Sequence, residues 1–186
     1  MLTPAGDGRF ETRVARTARE RAAYFALRRE IFCVEQGVFD GDDRDDCDAT
    51  AIPIVCLAET SAGDPRVVGV VRIWEDESTP GDWWGGRLGV ERDSRTVGAV
   101  GRWLVQTAVG TARGWGASRF RATVQRANVA FFRRLRWQTR TELELFGRPH
   151  HLMEADLTHY PPTGEARPVA GGLSGRASRG ACDDAA

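Results

Sequence analysis

LGVERDSRTVGAVGRWLVQTAV, residues 88–109, is the stretch from which the fold of this chain can be read. Leu88 and Val90 read as the end of a β-strand. After a turn holding Arg95 and Gly98, the positions Val100, Trp103, Leu104, Thr107, Ala108 and Thr111 recur on one face at helical spacing. The helix is predicted to stop at Gly114 or Gly116. A strand that runs through a glycine-bearing turn straight into a helix points backbone N–H groups and the positive end of the helix dipole at one place. Arg95 and Arg102 add charge-assisted donors there. A pyrophosphate is the ligand such a turn suits, although an ordinary βα turn also uses glycines for tightness, so both readings stay open. The chain has no GxxxxGK[ST] and no GxGxxG opening a helix, which removes a Walker loop and a dinucleotide fingerprint.

Outward from this stretch, strand and helix signals alternate. Strands are predicted at residues 10–15, 52–59, 67–74, 84–90, 118–124, 139–146 and 151–157. The second and third are β-branched runs joined by SAGDPR, which reads as an antiparallel hairpin. A first helix carries Ala23, Leu27 and Ile31 at four-residue spacing beside Tyr24, and a short helix falls near residues 127–135. The pattern predicts the α/β class: one domain over residues 1–160, with a mixed sheet of about six to seven strands and about four helices. From residue 161 onward Pro, Gly, Ala and Ser dominate, and such a segment cannot repay its ordering entropy. Residues 161–186 are therefore expected to be a disordered tail, with Cys182 incidental.

At 186 residues with 41% apolar side chains, the chain can bury one sizeable core. The 26 basic and 26 acidic residues cancel, so no global field points to nucleic acid or an anionic membrane. Every basic residue is Arg, which excludes a catalytic Lys and any internal Lys acceptor. The longest mainly apolar run, residues 52–58, falls far short of the ~20 residues a membrane helix needs. Four cysteines without ligand spacing, and no basic-then-apolar leader, point to a reduced cytoplasmic protein. Cys33 and Cys56 are expected to be core thiols.

At these motifs the chain resembles the GNAT (GCN5-related) N-acetyltransferase superfamily. Leu88 and Val90 match its LxV strand, and Arg95 and Gly98 match its [RQ]xxGx[GA] loop, with Val100 standing where Gly or Ala is usual. Asn128 and FFRRLRW (131–137) resemble the motif with FYxxLGF, Arg136 replacing the Gly. LRREIFCVEQGVFDGDDRDD (27–46) resembles the LRxxVFxxEQ…D segment of some small GNAT enzymes and, more distantly, of acyl-homoserine-lactone synthases. With that segment, GRPHHLMEADL (147–157) is similar to the N-acetyltransferases of bacterial nitrogen-starvation gene clusters. The similarity covers about residues 10–160.

The resemblance implies a single GNAT fold, acetyl-CoA as co-substrate and a small-molecule amine as acceptor, which attacks the thioester directly in a ternary complex. It implies no nucleic-acid or membrane partner and is compatible with a homodimer. Implied CoA contacts are Leu88, Gly89 and Val90, then Arg95, Thr96, Val97, Gly98, Ala99, Val100, Gly101 and Arg102, with Asn128, Phe131 and Phe132. A backbone N–H of the fourth predicted strand, near Val90, would polarise the thioester carbonyl. Phe132 stands where many members have a Tyr proposed to protonate the CoA thiolate. A phenyl ring cannot donate that proton, so water or another group serves, or no acid is needed. Phe132 also keeps open a non-catalytic acyl-CoA-binding or sensing module; an acyl-homoserine-lactone synthase is a third reading.

Candidate bases are Glu35, Glu75, Glu91 and His150. His150 and His151 are adjacent in a strand and point to opposite faces, so they form no metal site by themselves. FDGDDRDDCD (39–48) holds six aspartates and one arginine in no EF-hand register. Asp40, Asp42 and Asp43, with Glu35, are candidates for recruiting a cationic amine; a merely solvated loop is the alternative. Trp83 and Trp84 fit either core packing or an acceptor wall. Arg133, Arg134 and Arg136 fit either the 3′-phosphate of CoA or a solvated helix face.

Overall fold

The computed structural model describes residues 9–61 and 63–167. Seven strands form one sheet: β1 (Phe10–Val14), β2 (Ile52–Ala58), β3 (Arg66–Glu75), β4 (Asp82–Val90), β5 (Arg119–Gln125), β6 (Trp137–Leu145) and β7 (Arg148–Ala155). Their order is β1-β2-β3-β4-β5-β7-β6, and every neighbouring pair is antiparallel except β4 and β5. Helices α1 (Ala18–Arg29), α2 (Val100–Gly114) and α3 (Val129–Arg134), with a π-helical segment Glu30–Glu35 continuing α1, complete the expected α/β architecture.

The sheet is covered on both faces because its central strands are apolar on both sides. Val68, Val71 and Ile73 of β3 face α2, whose Val100, Leu104, Ala108 and Val109 are almost fully buried against them. Val67 and Val70 belong to the other core, with Tyr24 of α1 and Val55 and Leu57 of β2. Each such side chain contributes ~1.5–3 kcal/mol on burial.

Thr17 and Glu20 start α1. The Glu20 N–H donates to Thr17 Oγ1 at 3.1 Å, and the Thr17 N–H donates back to Glu20 Oε2 at 3.3 Å, a reciprocal cap. Arg13 of β1 forks onto the same carboxylate with two 3.0 Å bonds, tying helix to sheet.

The ordered contacts run past residue 160. Thr163 N–H donates to the Gly110 carbonyl at 3.0 Å, and the Trp115 indole donates to the Glu165 carbonyl at 2.7 Å. A Cβ at Gly110 would lie 2.7 Å from the Pro161 oxygen, so glycine lets this segment lie directly on α2. Residues 161–167 are thus a strap on the domain rather than the start of a disordered tail: backbone and side-chain hydrogen bonds replace the apolar groups that composition lacks. Residues 168–186, Cys182 among them, lie outside the described residues.

Cys56 is buried in the sheet core, as expected of a core thiol, whereas Cys33 is only half-buried. Among the described residues no helix is long and apolar enough to cross a membrane.

The hydrogen bonds from Arg13, helped by the backbone donors of Arg16 and Thr17, hold the Glu20 carboxyl down at about 2 against an ordinary 4.5 despite partial burial. A depressed folded pKa stabilises fully above the unfolded value and is lost as pH falls through the folded one. Glu20→Gln is therefore expected to be less stable than the parent above pH 4.5, with the gap closing as pH falls toward 2. Urea midpoints of both chains across that range measure it.

Candidate active site

The parallel pairing of β4 and β5 lasts only from Asp82–Gly85 against Arg119–Ala122. Beyond it the strands part: Gly86 to Val90 stays paired to β3, while β5 continues along β7 to Gln125. The cause is local. The β3–β4 register skips between Val70 and Arg72, and opposite the skip Arg87 takes a left-handed φ of 55°, a bulge that bends β4 away. Past Gly85 the β5-facing backbone of β4 has no ladder partner. A small apolar cavity of about 20 Å³ lies in this gap among Gly85, Leu88, Phe120, Ala122, Phe132 and Trp137.

The turn at residues 92–98 and the start of α2 stand at the Val90 end of β4. A 3-10 turn, Arg92–Val97, closes at Gly98, whose φ of 67° is the reason for a glycine, since an added Cβ would meet nothing. Ala99 follows as N-cap with no side-chain hydrogen bond, so the first-turn N–H groups of Val100, Gly101 and Arg102 have no side-chain cap. Val100 does not narrow this cradle, because its side chain is buried in the core beside Gly69. Gly101 lies under Phe131, 3.4 Å from where a Cβ would sit. Gly89 lies under Ile31, where a Cβ would come within 2.8 Å. Thr96 hydrogen-bonds the Asp93 carbonyl at 2.9 Å, Val97 is exposed, and exposed Asn128 leads into α3. Arg95 is engaged rather than open: it donates to the Val90 carbonyl at 2.8 Å and to Glu35 at 2.6 Å. Arg102 is left as the exposed cation at the helix start.

Phe132 packs edge-on against Trp137 (centroids 5.0 Å apart) and lines the cavity, so no proton donor stands there. Arg136 keeps the left-handed backbone, at φ 64°, despite having a side chain.

The four candidate bases separate clearly. Glu35 is paired with Arg95. Glu91 is paired with Arg66 and accepts from the Ser94 hydroxyl at 3.2 Å. Glu75 faces Trp83 in register, seven residues along β4 from Val90, roughly 23 Å at ~3.3 Å per residue. His150, opposite Gln125 beyond the point of divergence, is fully buried. Its Nδ1 lies 2.8 Å from the Arg148 carbonyl, which can only accept, so Nδ1 carries the proton and Nε2 holds a lone pair. That Nε2 is buried without a hydrogen-bond partner. His151 is also buried, its Nδ1 3.2 Å from Thr139 Oγ1, so neither histidine is a surface residue. By register Arg72, Trp84, Arg121, Gln125 and His150 share one sheet face. Trp84 is half-buried under Arg121, whereas Trp83 is wholly buried.

The acidic loop overturns one expectation. Asp43, with Asp45 and Asp48, is not displayed to a substrate but buried against Arg28, Arg72 and Arg87. Arg28 donates to Asp43 at 2.7 Å and to Asp48 at 2.9 Å; Arg72 forks onto Asp45 with two 2.6 Å bonds; Arg87 reaches Asp45 at 3.1 Å and the Asp43 carboxylate at 3.3 Å. All three guanidiniums are at most 1% exposed. Buried arginines in α1, β3 and β4 require partners, and the loop supplies them. Of the three candidate aspartates, Asp40 and Asp42 remain exposed, and Asp42 accepts from the Arg44 N–H at 3.2 Å. The loop also leans on the β6–β7 hairpin: Phe39 meets Phe146 edge-on at 5.4 Å, and Arg148 donates to the Gln36 carbonyl at 3.3 Å.

The fold that carries this site is shared with known proteins. The model of the acetyltransferase (GNAT) family matches residues 21–136. The chain belongs to that family. A crystal structure of a putative N-acetyltransferase from Lactobacillus plantarum is 18% identical, with a TM-score of 0.69 covering 80% of this chain and 98% of the other. Escherichia coli ElaA is 22% identical, at a TM-score of 0.62 over 79% and 99%. An acyl-CoA N-acyltransferase from Pseudomonas aeruginosa is 20% identical, at 0.60 over 78% and 98%. These show a common fold. No curated protein sequence matches the chain. Membership brings acyl-CoA-dependent acyl transfer.

Asp43→Ala would take one carboxylate partner from each of two buried guanidiniums, Arg28 and Arg87, a loss of about 3–5 kcal/mol for a broken buried pair. Urea denaturation followed by tryptophan fluorescence reads it. Asp43→Asn, which keeps the shape, is expected to lose less.

Proposed function

We propose that this protein is an acetyl-CoA-dependent N-acetyltransferase acting on a small-molecule amine, akin to the nitrogen-starvation-cluster enzymes its 147–157 segment resembles. The observation that carries this is the uncapped start of α2 at the mouth of the β4–β5 gap. The N–H groups of Val100, Gly101 and Arg102, with the Arg102 guanidinium, suit a pyrophosphate, and the gap edge at Leu88, Gly89 and Val90 suits the thioester arm. A cavity of about 20 Å³ has room for a methyl-sized group, which favours acetyl over longer chains.

His150 is the base in this reading, because among the four candidates it alone holds an unpaired lone pair in a dry setting. Its Nε2 takes the proton from the attacking amine, and backbone donors of β4 without ladder partners steady the developing oxyanion. The thioester's departing thiolate needs no acid at Phe132, since a thiolate leaves far more readily than an amine anion.

Acetyl-CoA and an amine library, with CoA release followed spectroscopically, test the proposal. Turnover should require an amine, and Gly98→Glu should abolish it by placing a carboxylate at the anion site. His150→Gln is expected to lower kcat by roughly 10²–10⁴ with the KM for acetyl-CoA unchanged. An unchanged kcat removes the base assignment, and acetyl-CoA binding without turnover in the parent favours a sensing module. Phe132→Tyr should raise kcat by less than about tenfold, below the ~10²–10⁴ a needed general acid would restore.

A further inference from the structure

A cavity of about 310 Å³ opens at the end of the sheet away from the phosphate turn, where β3 ends and β4 begins. Its volume falls within the range of small-molecule sites, ~300–1,000 Å³. Trp74 and Trp83 supply aromatic surface, and Glu75, Asp76 and Glu77 bring three consecutive carboxylates. The Glu75 carboxylate is aimed before any ligand arrives, because the Gly81 N–H donates to its Oε1 at 2.8 Å and leaves Oε2 for another partner. That donor first, then the Arg167 guanidinium, hold its pKa below the usual carboxylate range.

The partner at Oε2 is a guanidinium from the chain's own strap. Arg167 donates to Glu75 at 2.6 Å, and its Cζ stands 5.3 Å from the centre of the Trp83 ring. A carboxylate and an aromatic face around one planar cation make a recognition geometry for guanidinium. Arg167 leaves most of the cavity unfilled and remains half exposed, so it meets one wall only. Trp83, a wall of the cavity, is wholly buried with its indole N–H unpaired.

We infer that this cavity is a binding site for a guanidinium-bearing small molecule, with Arg167 as its intramolecular stand-in. The site is distinct from the transfer centre, from which it is separated by most of the length of β4, and its existence does not depend on the transfer reaction. A tethered arginine acts at a high effective concentration, so an external cation competes with it, and removing it strengthens binding.

Methylguanidinium is the probe, titrated into the full chain by calorimetry and tryptophan fluorescence, with methylammonium as comparison. Arg167→Ala is expected to bind methylguanidinium at least about fivefold more tightly than the parent, and more tightly than it binds methylammonium. Adding Glu75→Gln to Arg167→Ala should weaken binding by about tenfold or more. The inference is overturned if Arg167→Ala binds no more tightly than the parent, or if Glu75→Gln changes nothing. Without any substitution, the Trp83 indole N–H and the Arg167 Nε–H resonances should shift together on titration; if neither moves at saturating probe, the inference also fails.

Discussion

Three guanidinium groups and three carboxylates meet under the loop that follows α1, and the placement of the candidate site depends on that meeting. Arg28 comes from α1, Arg72 from β3 and Arg87 from β4, while Asp43, Asp45 and Asp48 come from one stretch of loop. Each ion is costly to bury alone, and their mutual geometry repays the desolvation only when all are present. What the network secures is specificity of arrangement. It fastens a long loop over one sheet face and holds Arg87 in the left-handed turn that bends β4 away from β5. Burial pushes the Asp48 carboxyl up, but the Arg28 hydrogen bond and the Arg72 charge outweigh it and leave it below its ordinary value.

From that bend the chemistry of the site follows. Because β4 stays with β3 and β5 stays with β7, the gap between them needs no special loop, only the end of a four-pair parallel ladder. The 3-10 turn then delivers α2 with its first N–H groups open at the mouth of the gap. Glu35 and Glu91 are tied to arginines, which leaves His150 as the candidate base with an unengaged acceptor.

Much of this was legible in the residues themselves. Alternating strand and helix periods give the class, and LGVERDSRTVGAVGRW gives the strand, turn and helix around the anion site. The strand limits shift by one to three residues, because a glycine or proline at an edge does not say which residue makes the last ladder bond. The partners of the aspartate run were not legible, since Arg28, Arg72 and Arg87 lie on three elements and meet only in the fold. A signal did exist: Arg72 and Arg87 interrupt otherwise apolar or glycine-rich strands, and a charge at such a position requires a counter-charge. The strap at 161–167 was hidden for another reason. Its own backbone groups hold it, the Thr163 N–H donating to the Gly110 carbonyl and the Glu165 carbonyl accepting from the Trp115 indole, and backbone groups leave no trace in composition.

The short β4–β5 ladder also bears on how the molecule holds together. Four residue pairs join a four-stranded half to a three-stranded half, and the helices must carry the rest of that seam. A ligand lying in the gap touches both halves, so its binding free energy adds to the cohesion of the sheet as well as to recognition. A ligand held there would act, while bound, as a piece of the sheet's own structure.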